Sequence, residues 1–438
     1  MLTYLKENSQ LYFIFIIWLL SGMFGGPVVY GVLPLTIILM YRKDLYEELL
    51  IGYLFILILS DSSLPMLTFA KNVKNIYIVF LTIIYFARLD FFKGNNTIFK
   101  LFIPFAIIAS ITMLLSIGDS YFFTSVQKTL SFFLTLIVIP GFIEKLFKIH
   151  GPDFLRRLFY CILLILLVGI ALKYIAPNVA MLNGFRYRGL FGGPNGLGIF
   201  CVLFFISFFI LINYYKDLFS KQEQVFIFGI ILLSLIWSGS RNSLIAVFIF
   251  YLFQRFFGLS PFLGFLLFVI FLFVSELISS NAAAIINSLG LGGYFRVQTI
   301  EEGSGRYIAW AFAWKQIQHN FFIGRGFAYN EFYMRQHYGA LLKLNHQGGV
   351  HNSFLTFWFD QGLVGLLIYL RSYVLVFIKS AKKTKYAFPA MFAISFTAFF
   401  ESWLVGSLSA FAFMGVFIFT ILTSDEIKPS EDIALVTD

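Results

Sequence analysis

The sequence predicts an all-α polytopic membrane protein, and three observations lead there. Of 438 residues, 59% are hydrophobic and only 12% charged, where ordinary soluble domains carry about 25% charged residues. Mean hydropathy is +0.85. The apolar residues are also gathered into runs of span length, bounded by charges or turn residues. Such runs cross a bilayer as helices, because a helix satisfies its own backbone where there is no water. The same composition excludes collagenous, disordered and disulfide-scaffold chains.

In chain order the runs fall at 11–24, 27–41, 49–64, 76–88, 101–117, 126–143, 158–175, 196–213, 224–239, 242–257, 261–279, 352–378, 387–400 and 403–423. They give about 12–14 transmembrane helices, since several are shorter than the ~20 residues that cross a bilayer upright. The first run has no small-x-small cleavage pattern and leads through Gly25-Gly26-Pro27 into the second, so it reads as a retained span rather than a signal peptide. Cys161 and Cys201 lie inside apolar runs and read as buried small hydrophobes, not a disulfide. No fixed-period repeat or low-complexity linker divides the chain. Residues 1–423 are therefore expected to form one transmembrane domain, and 424–438 a short cytoplasmic tail.

The net charge of +10 would suggest nucleic acid in a soluble protein, but here the basic residues lie between apolar runs. Topology accounts for them. With both termini inside, 19 of the 32 Lys and Arg fall on the cytoplasmic side, including Arg42, Lys43, Arg255 and the cluster Lys379, Lys382, Lys383, Lys385. The remaining polar residues collect on the outer face, in four places.

The first is the long outer loop, about 280–351, expected to contain amphipathic helices because loops of this length are usually functional. It holds His319, His337, His346 and His351, with Arg296, Arg306, Lys315, Arg325, Arg335 and Lys343 against Glu301, Glu302 and Glu331. Ser304 is expected to cap a helix with Tyr307, Trp310, Ala311, Trp314, Ile317 and Phe321 on its apolar face. Two tryptophans on that face suit the membrane–water boundary, as part of a site or as an anchor alone. The second place runs from Asn183 through Arg186, Arg188 and a glycine-rich turn to Pro194-Asn195. Its turn brings backbone N–H groups toward an anion, beside two arginines, without the spacing of a nucleotide loop.

The third is the turn Trp237-Ser238-Gly239-Ser240-Arg241-Asn242-Ser243. An arginine so close to hydrocarbon faces a polar cavity, is paired, or snorkels to the headgroups. The fourth is His351-Asn352-Ser353 with Asp360, about two helical turns farther along and within reach of the same cavity. Asp61, Glu276 and Glu401 fall near outer span ends and are expected to pair with the outer arginines.

These pieces describe an outward-facing, arginine-rich cavity with a histidine at its rim. The guanidinium fork binds two oxygens at once and keeps its charge, which suits a lipid-linked pyrophosphate. If a glycan is displaced from that diphosphate, the arginines stabilise the charge developing on the leaving group. His351 then accepts the proton of the attacking sugar hydroxyl. No cofactor or metal is expected, because His337, His346 and His351 lack a zinc-type ligand spacing such as H-E-x-x-H. Ser353 beside His351 lacks the G-x-S-x-G elbow of a hydrolase.

Four blocks, in order and spacing over residues 185–370, resemble the bacterial O-antigen ligases and O-antigen polymerases, polytopic glycosyltransferases of the GT-C class. They are Arg188-Gly-Leu-Phe with Pro194-Asn195; Ser238-Gly-Ser-Arg241; Ser304-Gly-Arg306 with Trp310 and Gly324-Arg-Gly326; and His351-Asn352 with Gly362 and Gly365. The resemblance implies a GT-C-like fold and an undecaprenyl-pyrophosphate-linked glycan donor at the outer leaflet of the inner membrane. It also implies pyrophosphate-binding roles for Arg188, Arg241 and Arg306, with Arg186 as the other basic residue that could hold the first of these positions, and acceptor activation by His351. Asn195, Asn352, Asp360 and Trp310 are expected to support the site. The reaction would be inverting and metal-independent. The acceptor is a second lipid-linked repeat in a polymerase and lipid A–core in a ligase, and donor-site residues do not separate the two; polymerisation is favoured here. A protein O-glycosylating ligase is a third reading, and a chain-length regulator and a flippase are the partners such an enzyme would have. A transporter of lipid-linked glycans would place its site near the midplane of repeated halves, and no repeat is visible.

Overall fold

The computed structural model describes residue 4 and residues 8–88, 96–182, 185–260, 262–264, 266–267, 270, 306–343 and 348–427. Among these, helix dominates, with one short antiparallel ladder in which Met181 faces Tyr187 and Leu182 faces Arg186. The protein is all-α and polytopic: seven described helices are long and apolar enough to cross a membrane, and four more apolar helices are shorter. Most of the expected span 261–279, together with Asn183, Glu276, Ser304 and His346, lies outside the described residues.

The chain divides into two compact units. The first comprises Met1–Phe99, Ser131–Leu244 and Ser407–Asp438. It contains α1 (Ser9–Phe24), α2 (Val29–Arg42), α3 (Tyr46–Asp61) and α4 (Phe69–Ala87). The chain then enters α5 (Thr97–Leu114) and α6 (Phe122–His150), each shared between the units. Next in the first unit come α7 (Pro152–Ile175), α8 (Pro194–Tyr214) and α9 (Lys221–Ser238), while α10 (Arg241–Leu259) is shared again. Helices α3 and α8 are buried almost all round, which is why their sequences are apolar on every face rather than amphipathic. Phe159 packs tilted against Phe204 and edge-on to Phe417, and Phe191 stacks on Phe411, so aromatic side chains fill the space between these helices.

The second unit comprises Lys100–Leu130 and Ile245–Gly406. It contains α11 (Arg306–Ile317), α12 (Tyr329–Gln336), α13 (Tyr338–Lys343), α14 (Ser353–Ala381) and α15 (Ala387–Phe400). The last helix, α16 (Ala410–Thr423), returns to the first unit.

Two expected spans are redrawn. The run 403–423 is not continuous: a 3-10 turn, Trp403–Val405, is followed by irregular backbone, and Ser409 caps α16 by accepting from the Ala412 amide at 3.1 Å. The run 49–64 stops at Asp61 because Leu64 is extended ahead of Pro65, as the residue before a proline prefers.

Candidate functional site

In the second unit the segment 306–350 builds a small core of its own. Ala313 and Ile317 of α11 join Tyr121, Tyr329, Met334, Leu341, Val350 and Phe359. The buried stripe of α11 is therefore Ala309, Ala313 and Ile317, at spacing i, i+4, i+8. Of the expected apolar face, Ile317 belongs to this stripe, while Ala311 is exposed and Trp314 is 40% exposed. Trp310 is used inside the protein, its Nε1 donating to the Val350 carbonyl at 3.0 Å and so fixing the backbone next to His351.

His351 and Arg306 meet on one carboxylate. Arg306 Nη2 lies 3.0 Å from Glu401 Oε1, and His351 Nδ1 lies 3.1 Å from Glu401 Oε2. Glu401 gets there because α15 ends at Phe400 and the next residues are laced to the start of α14. Ser353 Oγ donates to the Glu401 carbonyl at 2.7 Å and accepts from the Leu404 amide at 3.2 Å. The Asn352 amide donates to Ser402 Oγ at 3.0 Å, while Asn352 Oδ1 caps α14 by accepting from the Leu355 amide at 2.9 Å. Between these anchors His351 adopts φ of +51°, a conformation that costs a non-glycine residue about 1–2 kcal/mol.

The chemistry follows from which nitrogen faces the carboxylate. A carboxylate only accepts, so Nδ1 carries the proton and Nε2 of the neutral ring holds the lone pair. The His351 side chain is 40% exposed, against 18% for Arg306 and 16% for Glu401. The imidazole is thus the more open of the three groups, while the carboxylate it meets is covered.

Asp360 is not brought to His351. It is fully buried, and its two oxygens accept from the Asn330 amide and side-chain amide, each at 2.8 Å. Two residues on, α14 breaks: Gly362 has φ of +72°. The amides freed by the break, Leu363 and Val364, donate to the carbonyls of Phe321 and Phe322 at 2.8 and 3.1 Å, and the Gly326 amide donates to the Asp360 carbonyl at 2.8 Å. A Cβ at Gly362 would lie 2.4 Å from Phe322 O, and one at Gly324 2.2 Å from Asp360 O. The glycines of the Gly324-Arg-Gly326 and Gly362 blocks are thus explained by one segment seated against a broken helix. Among the histidines, His337 Nδ1 sits 3.0 Å from the Tyr333 carbonyl within α12 and its cap.

In the first unit the two arginines of the glycine-rich loop go to different partners. Arg186 Nε donates to the Ser238 carbonyl at 3.0 Å and its Nη2 to Asn195 Oδ1 at 2.8 Å. This ties it to the Ser238-Gly-Ser turn that leads into Arg241, the first residue of α10. Arg188 Nε donates to the Val179 carbonyl at 3.1 Å and its Nη1 to Ser63 Oγ at 2.5 Å. The turn expected to offer N–H groups to an anion uses one of them internally, since the Gly192 amide donates to Asp61 Oδ2 at 3.0 Å. A Cβ at Gly192 would lie 2.4 Å from Asp61 O, which accounts for that glycine by close approach. Asp61 therefore takes an amide rather than an arginine, whereas Glu401 does pair with one.

The role of Ser402 and Asn330 as partners had no signal in the sequence, because each acts through a contact some thirty to fifty positions away.

Residues 226–370 match a family model described as O-antigen ligase. The match takes in Arg241, Arg306, Trp310, His351, Asn352 and Asp360, and stops short of Arg186, Arg188, Asn195 and Glu401. No curated protein matches the chain. The resemblance drawn from the four blocks is consistent with this domain, and both support a multi-pass membrane enzyme that processes glycans in the manner of the ligases and polymerases.

Proposed function

We propose that the protein is a glycosyltransferase at the periplasmic face of a bacterial inner membrane, with both termini cytoplasmic. It acts on undecaprenyl-pyrophosphate-linked oligosaccharide and polymerises the repeat units of a surface polysaccharide. The observation that carries this reading is the shared carboxylate, with His351 and Arg306 on the two oxygens of Glu401.

In this reaction the acceptor hydroxyl gives its proton to His351 Nε2 while its oxygen attacks the anomeric carbon. The bond from that carbon to the diphosphate oxygen breaks, and undecaprenyl pyrophosphate departs with the electron pair. Attack opposite the leaving group inverts the anomeric centre. Arg306 of the second unit supplies positive charge to the diphosphate and takes the place a metal ion fills elsewhere; Arg186, Arg188 and Arg241 are basic residues of the first unit. As His351 becomes an imidazolium its hold on Glu401 strengthens, which frees Arg306 to turn toward the leaving group as charge builds there. Trp310 and Asn352 support His351, Asn195 orients Arg186, and Asp360 holds the segment beneath.

A second reading is favoured by the description of the matched family: a ligase that moves the same glycan to lipid A–core. A polysaccharide gel on a deletion strain separates the alternatives. Loss of a polymerase leaves core bearing one repeat; loss of a ligase leaves bare core while lipid-linked polymer accumulates; loss of a flippase strands unpolymerised repeats inside. Complementation with His351→Ala and Arg306→Ala tests the site, with both variants expected to insert and to give no polymer. Normal chain lengths from both would overturn the assignment.

A further inference from the structure

We infer that Phe400 is a positioning residue for the reaction: its ring is the shelf on which the Arg306 guanidinium rests while that group changes partner from Glu401 to the leaving diphosphate. The inference rests on the proposed role of Arg306 and adds the residue that keeps its cation in place. The observation is that Arg306 Cζ lies over the Phe400 ring, 5.7 Å from its centroid, inside the ~6 Å within which a ring face attracts a cation. Arg306 is only 18% exposed, and such a contact strengthens where water is kept away.

Phe400 closes α15 and Glu401 is the next residue, so one stretch of chain offers the guanidinium both a π face and a carboxylate. The two partners act differently. Glu401 accepts from Arg306 Nη2 at 3.0 Å and cancels its charge, so it competes with the diphosphate for the cation. A phenyl ring has no lone pair and no net charge, so it holds the guanidinium while the N–H donors and the positive charge stay available to phosphate oxygens. A cation fixed in this way spends less on ordering when the diphosphate arrives. The shelf is itself braced. Phe396 stands four positions before Phe400 and three before Phe399, the spacing of neighbours on a helix, and the Phe400 ring meets Phe396 edge-on at 5.1 Å and Phe399 edge-on at 5.3 Å. Phe399 in turn meets Trp310 edge-on at 5.5 Å, and Trp310 donates to the Val350 carbonyl beside His351. A row of edge-on rings thus runs from beneath Arg306 to the backbone that carries His351. Aliphatic side chains would fill the same face and supply neither the quadrupole nor the edge-on geometry.

The test is farnesyl pyrophosphate binding to the full-length protein in phosphatidylcholine nanodiscs. Phe400→Tyr keeps the ring face and should bind like the wild type, whereas Phe400→Leu should bind about 2- to 30-fold more weakly. Phenylalanines carrying one, two and three ring fluorines, placed at position 400, keep the shape of the side chain while draining its π face, so the question stays decidable even where the leucine variant fails to fold. Affinity should fall stepwise with each fluorine, a trend that packing alone does not produce. Equal affinity across the fluorinated series, or a folded leucine variant that binds like the wild type, would refute the shelf. Arg306→Ala separates this inference from the reading beneath it. Weak binding by Arg306→Ala beside a flat fluorine series removes the shelf and leaves Arg306 as the diphosphate ligand, whereas wild-type affinity in Arg306→Ala removes that role itself.

Discussion

Glu401 touches Arg306 with one oxygen and His351 with the other, so its charge and its shape are separable in experiment. Glu401→Gln keeps the shape. It replaces one acceptor oxygen by an amide that only donates, so Arg306 loses its acceptor if it meets the amide, and His351, if it does, must take the other tautomer, which puts the proton on Nε2. Complementation should fall toward the level of His351→Ala, itself expected to lose about 10²–10⁴ of the rate. Full chain length from Glu401→Gln would mean that the carboxylate only braces the fold. Ser353→Ala is the contrast. Its hydroxyl is fully buried and serves the Glu401 carbonyl and the Leu404 amide, so the variant should lose about 1–3 kcal/mol of stability. Thermal unfolding in detergent should register that loss while polymer still forms. At this scale the sequence marked Glu401 as a partner for an outer arginine. It did not mark the bond to His351, because fifty positions separate the two and no local pattern encodes a meeting of loop ends.

Among the elements, α14 is the one whose sequence misleads. Its apolar run is continuous across Gly362, so hydropathy reads a single span, yet the backbone there has φ of +72°. That angle follows from the segment 321–326 pressed against it, a tertiary cause invisible to composition. Gly362→Ala should be severely destabilising, since a Cβ would meet the Phe322 carbonyl at 2.4 Å in addition to about 1–3 kcal/mol for a backbone conformation that is essentially glycine's alone. Size-exclusion profiles of the purified variant check this, and a monodisperse peak with unchanged melting would contradict the break. Most other helices were legible because lipid-facing and protein-facing surfaces are both apolar, and a run of such residues marks a helix whichever it faces. On α11 the same indifference hides which residues turn inward, Ala309, Ala313 and Ile317.

For the whole molecule, charge asymmetry gives an orientation that labelling can check. Cys161 and Cys201 are buried, at 2% and 0% exposure, so the wild type should react little with a membrane-impermeant maleimide. Phe185, 78% exposed beside Arg186, should label from outside as Phe185→Cys, and Lys383→Cys should label only after the cells are opened. The reverse pattern would turn the proposed topology over. Four blocks of residues made the glycan chemistry legible. The division of labour between Arg186 and Arg188 was not, because residues two apart in a loop carry no sign of which neighbour each will reach.

The break at Gly362 also works as a ruler. The helix beyond it, residues 363–381 of α14, is about 28 Å long at 1.5 Å per residue, close to the ~30 Å of a hydrocarbon core. On the proposed topology, with residues 363–381 filling that core, the nine residues from Ser353 to Gln361 would lie outside it, a length of about 13 Å if they ran along the same axis. A lipid phosphate stays at the boundary, and the sugars it carries project outward from it. If His351 is the base proposed above, the length of this segment would set its reach, and a stalk lengthened or shortened by one turn would present the histidine to a different part of the chain.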